Sequence, residues 1–167
     1  MTEVLNTKRL ELRRPSMGDA EMLVERAGSM DVAKWMTSMP HPYGLKDAHE
    51  FITRQIEGDG NVFFIFDEGA LAGCIGTKHQ LGYWLAPRFW GKGFATEAAQ
   101  AIVMRHFKQG HDALISGHFL GNTASRAVLK KLGFRDTEVI SAHCRATSLY
   151  HRLQRMMLCK SEHEALQ

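Results

Sequence analysis

In the N-terminal third of the chain, apolar residues recur mainly at helical spacing. Residues 10–12 are the exception, because leucine alternates there with charged residues as in a half-buried strand. A helix is predicted to open at Ser16, which stands just before the first apolar position of a helical pattern. Two further helices are predicted, a short one over residues 30–36 and a longer one over residues 45–56.

The middle of the chain changes to strand patterns. Residues 62–66 and 71–75 are apolar runs that flank the turn-forming residues 67–69, which predicts a hairpin. A third strand is predicted over residues 81–85, which a proline follows closely.

Strands and helices alternate over the C-terminal half. Apolar spacing predicts an amphipathic helix over residues 95–107, and an apolar run predicts a strand over residues 114–119. A helix follows over residues 122–132, capped by an asparagine and ended by a glycine. Residues 139–140 and 156–159 are predicted to be two short final strands.

The order of these elements predicts an α+β fold, or mixed α/β, because hairpins and not βαβ units connect most strands. The chain of 167 residues shows no internal repeat or linker, so residues 1–167 are predicted to form one domain. The polar tail at residues 161–167 is expected to fray.

Composition excludes several classes of protein. The net charge of +3 is too small to predict nucleic-acid binding. The three cysteines form no Cys-x-x-Cys pair, which indicates a reduced intracellular protein without a structural zinc site. The histidines also lack metal-ligand spacing, so no metal is expected. No apolar run suits a signal peptide or a membrane span, which predicts a cytoplasmic protein without a membrane partner.

The segment after the third strand carries the candidate chemistry. Gly91 and Gly93 form a turn between that strand and a helix, whose first turn offers unpaired N–H groups and the positive end of the helix dipole. A pyrophosphate fits such a site, and Arg88 and Lys92 add positive charge. Walker A spacing is missing, and Thr96 stands where a Rossmann fingerprint needs Gly or Ala. From these residues alone, a glycine-rich turn without a ligand remains the alternative.

Two longer motifs favour the ligand. Residues 82–98, GYWLAPRFWGKGFATEA, resemble the acetyl-CoA signature of the GNAT superfamily of N-acetyltransferases. Residues 121–134, GNTASRAVLKKLGF, resemble a second motif of its branch related to the ribosomal-protein alanine N-acetyltransferases, the RimJ/RimL-like proteins. The start, Leu10-x-Leu12-Arg13, is similar to the N-terminal motif of that branch.

The resemblance implies a GNAT-like fold, a mostly antiparallel central sheet flanked by helices, with strands 81–85 and 114–119 splayed apart to receive acetyl-CoA. It further implies that the Leu85 N–H donates to the thioester oxygen and that the Ser125 hydroxyl donates to the leaving sulfur. The implied cofactor-binding residues are Trp84, Leu85, Arg88, Gly91, Lys92, Gly93, Phe94, Ala95, Thr96, Asn122 and Ser125.

The general base has no obvious candidate. Relatives carry a glutamate just before the Gly-Tyr-Trp-Leu stretch, where this chain has Gln80 and Leu81, and glutamine cannot accept a proton. Histidine titrates near neutral pH, so His79, His118 and His41 are the alternatives. His118 ranks first because its predicted strand borders the expected cleft.

The acceptor is expected to be a primary amine, either a protein N-terminus or a small molecule. His41 and Tyr43 fall between two early helices, where relatives build the acceptor wall. Because Gln80 replaces the expected carboxylate, a noncatalytic acyl-CoA-binding or sensing module is the alternative function. Monomer and homodimer both remain open.

Overall fold

The computed structural model describes residues 3–167. Its helices are α1 (Ala20–Ala27), α2 (Met30–Ala33), α3 (Leu45–Ile56), α4 (Phe94–Lys108), α5 (Thr123–Lys131) and α6 (Lys160–Ala165). Its strands are β1 (Val4–Asn6), β2 (Leu10–Arg13), β3 (Val62–Asp67), β4 (Ala70–Gly76), β5 (Gly82–Leu85), β6 (Ala113–Phe119), β7 (Arg135–Cys144) and β8 (Leu149–Cys159). The mixed α/β class predicted from the sequence is therefore confirmed.

The strands form two antiparallel sheets. One has the order β1-β2-β3-β4-β5 and the other the order β6-β8-β7. The hairpin between β3 and β4 turns through Glu68 and Gly69, which both have positive φ, at 48° and 81°. A tight hairpin turn needs this left-handed pair of residues, which is why a glycine stands at the second position.

The two sheets meet at one isolated parallel bridge between Leu81 and Ser116. The Leu81 N–H donates to the Ile115 carbonyl at 2.8 Å, and Ser116 Oγ donates to the Leu81 carbonyl at 2.8 Å. Beyond this bridge β5 and β6 are not paired, so a gap opens between their C-terminal ends. This arrangement gives the splayed strand pair that the sequence motifs imply.

Strand β3 is buried on both faces and separates two hydrophobic layers. Phe63 and Ile65 pack into a cluster with α4 and α5, whereas Phe64 and Phe66 pack into a cluster with α1 and α3. Side chains alternate between the two faces of a strand, so a continuous apolar run serves both layers. Helices therefore cover both faces of the larger sheet and hold β4 and β5 in place.

The C-terminal region differs from the sequence-based expectation. Strands β7 and β8 are much longer than predicted. The prediction for β7 was too short because most of its side chains are polar and exposed at the sheet edge, and so give little apolar pattern. The expectation that residues 161–167 fray is wrong for residues 161–165, which belong to α6. Glu162 accepts a hydrogen bond from the Cys159 N–H at 3.2 Å, and the buried His163 ring lies 5.3 Å from that of Phe107.

Within residues 3–167, none of the helices combines the length and apolar character needed to span a bilayer.

One buried histidine makes stability depend on pH. Burial lowers the pKa of His106, and the nearby charges of His111, stacked on it at 4.2 Å, and Arg105 lower it further. The unfolded chain, with a histidine pKa of about 6.5, then binds more protons below that pH than the folded chain does. We therefore expect the free energy of unfolding to fall as pH drops below about 6.5.

The measurement is urea unfolding between pH 5 and pH 8. This range includes the pH at which the unfolded chain takes up a proton on His106 while the folded chain still resists it. His106→Gln should flatten the fall in stability, because glutamine does not titrate and can still donate to the Ala113 carbonyl. His49→Gln on the exposed side of α3 is the matched control and should leave the slope unchanged. Equal slopes for the two variants would contradict the role of His106.

Candidate active site

A cavity of about 500 Å³ occupies the gap between β5 and β6. Its size is that of a typical small-molecule site, since such sites measure about 300–1,000 Å³. The start of α4 and one face of α5 line one part of the cavity, and α2 with the residues after it lines another. The lining includes Trp84, Leu85, Gly91, Gly93, Phe94, Ala95, Thr96, His118, Asn122 and Ser125. Ten residues named from the sequence are thus brought to a single cavity.

The backbone of β5 directs one donor into this cavity. In an antiparallel ladder the N–H and C=O groups of successive residues point to opposite sides. The Leu81 N–H points to β6 and the Ala86 N–H points to Ala72 on β4, so the Leu85 N–H and C=O point away from β4. The indole Nε1 of Trp90 donates to the Leu85 carbonyl at 2.8 Å. The Leu85 N–H is therefore left on the cavity side of the strand, where a ligand could accept from it.

The glycine turn adopts a conformation that other residues resist. Gly91 and Gly93 have φ of 73° and 79°, in the left-handed region that favours glycine. Gly93 is the N-cap of α4, and its carbonyl accepts the first helical hydrogen bond from Glu97 at 3.1 Å. The first three N–H groups of α4 therefore precede the helical ladder and are available to an anion.

A charged network holds this turn against the N-terminal hairpin. The Arg9 guanidinium donates to Glu97 Oε2 at 2.7 Å and to the Lys92 carbonyl at 2.8 Å, and Thr7 Oγ1 donates to Glu97 Oε1 at 2.6 Å. Burial alone would raise the pKa of Glu97, but the hydrogen bonds from Thr7 and Arg9 outweigh it and lower that pKa. Arg9 thus neutralises a carboxylate at the start of α4 and keeps the site open to an anion. The sequence motifs did not single out Arg9 or Glu97.

The cations of the glycine turn do not line the cavity. Arg88 and Lys92 are exposed and outside the cavity lining, and their side chains lie 5.0 Å and 5.6 Å from the centre of the Phe89 ring. Lys131 on α5 lines the cavity instead. It stands six residues after Ser125, about 9 Å along the helix axis, because a helix rises about 1.5 Å per residue. The cavity therefore has a cation well separated from Ser125.

Lys131→Ala is expected to weaken coenzyme A binding about fivefold at low salt, because one partly solvated charge contributes roughly 1 kcal/mol. Added salt should shrink the difference. Lys130→Ala is the matched control, since Lys130 pairs with Asp136 at 3.3 Å and lies outside the cavity lining. Calorimetry at two salt concentrations measures both variants. An equal loss of coenzyme A affinity in the two variants would show that Lys131 contributes no more to binding than Lys130 does.

Three residues meet where α5 begins, namely Tyr83 from β5 and Asn122 and Ser125 from the start of the helix. Asn122 caps the helix, since its Oδ1 accepts from the Ser125 N–H at 3.2 Å. The Tyr83 hydroxyl lies 2.9 Å from Ser125 Oγ. All three residues line the cavity. Sequence motifs named Asn122 and Ser125, but Tyr83 was noted only as part of the strand motif.

His118 faces the cavity from β6 and is only 6% exposed. Its Nδ1 lies 3.1 Å from the Phe119 carbonyl, which can only accept, so Nδ1 carries a proton and Nε2 of the neutral ring does not. Among residues 3–167, His118 Nε2 is the buried side-chain nitrogen or oxygen without a hydrogen-bond partner. Buried polar atoms are almost always paired, so this one is available to a ligand.

The residues predicted for the acceptor wall are not in the cavity. His41 is exposed, and Tyr43 packs against the core formed by α1 and α3, where burial raises its pKa. The aromatic ring of Tyr43 packs against that core and does not line the cavity. His79 lines a second, separate cavity, whereas Gln80 lines the first. The residues of this part of the chain that do line the cavity are Asp31, Val32, Trp35, Met36 and Thr37.

Within residues 3–167, no group of three or more histidine, cysteine, aspartate or glutamate side chains is arranged to hold a metal ion.

The chain is similar in sequence to known N-acetyltransferases. Residues 9–135 match the acetyltransferase (GNAT) domain. The uncharacterized N-acetyltransferase p20 of Bacillus licheniformis is 30% identical over 115 residues, which are 60% of this chain and 64% of p20, just under two thirds of its length. The uncharacterized N-acetyltransferase YnaD of Bacillus subtilis is 28% identical over 144 residues, which are 78% of this chain and 82% of YnaD.

Solved structures share the fold. RimL, a ribosomal L7/L12 alpha-N-protein acetyltransferase solved in complex with coenzyme A, superposes with a TM-score of 0.82. The superposition covers 94% of this chain and 98% of that one, at 18% sequence identity. At that identity the likeness is one of architecture.

Proposed function

Because the chain belongs to the acetyltransferase (GNAT) family, we propose that it transfers the acetyl group of acetyl-CoA to the α-amine of a peptide or protein N-terminus. The family and its mixed α/β fold, both predicted from the sequence motifs, are confirmed. One observation carries the proposal. A single cavity joins the free first turn of α4, the inward Leu85 N–H and the unpaired Nε2 of His118.

The cavity offers partners to both the pyrophosphate and the pantetheine arm of acetyl-CoA. The first turn of α4 offers N–H groups and a positive dipole end to the pyrophosphate, and Lys131 adds a cation. The open edge of β5 offers the backbone groups of Tyr83 and Leu85 to the amides of the pantetheine arm, as a neighbouring strand would. When bound, acetyl-CoA supplies an activated thioester.

The residues around the thioester position divide the chemistry between them. His118 Nε2 takes the proton that the amine loses as it attacks, since that atom has a free lone pair. The Leu85 N–H donates to the carbonyl oxygen as it gains negative charge. Ser125 Oγ donates a hydrogen bond to the sulfur as it leaves. Holding amine and thioester in one cleft supplies proximity, which lowers the barrier to a direct transfer.

The acceptor end favours a weakly basic amine. Asp31 is the carboxylate in the cavity lining, and it is exposed and lies 3.3 Å from the Lys34 ammonium. Val32, Trp35 and Met36 make the rest of this wall largely apolar, which does not suit a polyamine with several charges. Deprotonating an α-amine at pH 7 costs about 1.4 kcal/mol, against roughly 4.6 kcal/mol for a lysine amine.

A comparison of rates against pH tests this assignment. A peptide with a free N-terminus should outpace its N-blocked, lysine-containing analogue at pH 7. The difference in rate should narrow mainly above pH 8, where the α-amine is mostly neutral while the neutral fraction of the lysine amine still rises about tenfold per pH unit. A panel of small amines with pKa near 8 shows whether a peptide backbone is required. Equal kcat/KM for the two peptides at pH 7 would exclude the preference for α-amines.

A further inference from the structure

We propose that Tyr83 is a positioning residue that prepares the Ser125 hydroxyl to stabilise the leaving thiolate. This inference rests on the proposed function, because it gives Ser125 its role toward the sulfur of acetyl-CoA. Tyr83 acts through Ser125. The phenol connects β5, which carries the Leu85 N–H, to the first turn of α5, which carries Ser125.

The geometry leaves Ser125 little freedom. Its N–H donates to Asn122 Oδ1 at 3.2 Å, which fixes the backbone in the first turn of the helix. The Tyr83 oxygen lies 2.9 Å from Ser125 Oγ and 3.3 Å from the Ser125 carbonyl. Both residues line the cavity, with Tyr83 partly buried in its wall. Burial raises the pKa of Tyr83 to about 12, so the phenol keeps its proton at neutral pH.

The direction of the hydrogen bond follows from acidity. The phenol has one proton, for which the Ser125 carbonyl at 3.3 Å and Ser125 Oγ at 2.9 Å compete. The shorter contact and the greater acidity of a phenol over an alkyl hydroxyl favour donation from Tyr83 to Ser125 Oγ. The Ser125 proton is then not used within the pair and can point into the cavity. Hydrogen bonds in a chain strengthen one another, which makes Ser125 a better donor than an isolated serine.

The Tyr83–Ser125 pair acts as the carbon–sulfur bond breaks. The amine nitrogen forms a bond to the acetyl carbon, the carbon–sulfur bond breaks, and the electron pair of that bond stays on sulfur. The amine proton goes to His118, while Tyr83 and Ser125 keep their own protons and share them as hydrogen bonds. The pair therefore favours the thiolate over the thioester, which is the charge change that accompanies transfer.

This preference is measurable without any acceptor. Calorimetric titration of coenzyme A against pH should show affinity rising as the bound thiol ionises, below the pH of about 8.5 at which a free thiol ionises. S-methyl-CoA cannot ionise and should bind with no such rise. The other titratable groups of the cavity wall are Asp31 on α2, His118 on β6 and Lys131 on α5, and they are the same in every variant.

Tyr83→Phe keeps the ring and removes only the hydroxyl. It should move the ionisation of bound coenzyme A back towards that of the free thiol and leave S-methyl-CoA affinity within twofold of wild type. Ser125→Ala should do the same, and the double variant should be no worse than Ser125→Ala, because the two residues act as a unit. With a peptide acceptor, Tyr83→Phe should lower kcat about fivefold at unchanged KM for acetyl-CoA. Tyr43→Phe, outside the cavity, is the matched control.

The outcomes separate the two proposals. Tyr83→Phe with the pH profile and kcat of wild type overturns the inference, and so does an equal loss for coenzyme A and S-methyl-CoA, which would indicate packing alone. A wild-type protein that shows the thiolate preference yet acetylates no amine would overturn the proposed acceptor and keep the role of Tyr83. A wild-type protein that binds neither compound overturns both.

Discussion

His118→Gln is expected to lower kcat for a peptide α-amine by about a hundredfold or more, the usual contribution of a general base. Glutamine has a similar reach, but it cannot accept a proton as the imidazole Nε2 can. The KM for acetyl-CoA should change little, because the turn proposed to bind the pyrophosphate lies on a different element, at the start of α4. Raising the pH should restore part of the rate, since more of the amine is then neutral without help.

His79→Gln is the matched control, because it removes a histidine that lines a separate cavity. Steady-state thiol release on the two variants, with melting temperature as a check on folding, makes the comparison. If the kcat of the His118→Gln enzyme at pH 7 lies within threefold of the wild-type value, His118 does not accept the proton. The proton would then have to pass to water directly.

The second large effect is expected at the glycine turn. Gly91→Val should weaken acetyl-CoA binding by at least tenfold, or about 1.4 kcal/mol. Gly91 has a φ of 73°, which a β-branched residue strongly resists, while no atom lies within 4 Å of where its Cβ would stand. The cost is therefore in the backbone, and the turn must change shape to relieve it.

Gly110→Val separates this local effect from a loss of stability. Gly110 also has positive φ, at 94°, and open space around its missing Cβ, but it lies beyond the far end of α4. Both variants should lower the melting temperature, and only Gly91→Val should lower the affinity measured by calorimetry. Unchanged affinity in Gly91→Val would remove the turn from the pyrophosphate site.

The parts of the site that depend on backbone were predictable from sequence. Gly91 and Gly93 between a strand pattern and a helix pattern define a helix N-terminus with open N–H groups, because both signals are local. The charges beside it were not predictable. Whether Arg88, Lys92 or Lys131 lines the cavity depends on how the turn and α5 are oriented, and apolar periodicity carries no information on that.

The acceptor end depends on contacts between distant parts of the chain. The Arg145 N–H in the β7–β8 turn donates to the Thr37 carbonyl at 3.0 Å, and Cys144 Sγ lies 3.7 Å from the Ala33 carbonyl. These bonds hold the segment after α2 against the second sheet and place Trp35 in the cavity wall. His41 and Tyr43 were predicted from the resemblance to relatives, whereas the long-range packing decides which segment of this chain lines the cavity beside β5.

The central claim is that this cavity transfers acetyl from acetyl-CoA to an α-amine. The most direct measurement follows free thiol and acetylated peptide together, by a thiol-reactive dye and by mass spectrometry, in one reaction of the wild-type protein with acetyl-CoA and a peptide with a free N-terminus. We expect the two products to appear at the same rate and in equal amounts. Tight binding of acetyl-CoA with no thiol release, on this peptide and on a broad panel of amines, would contradict it and identify a noncatalytic acyl-CoA-binding module.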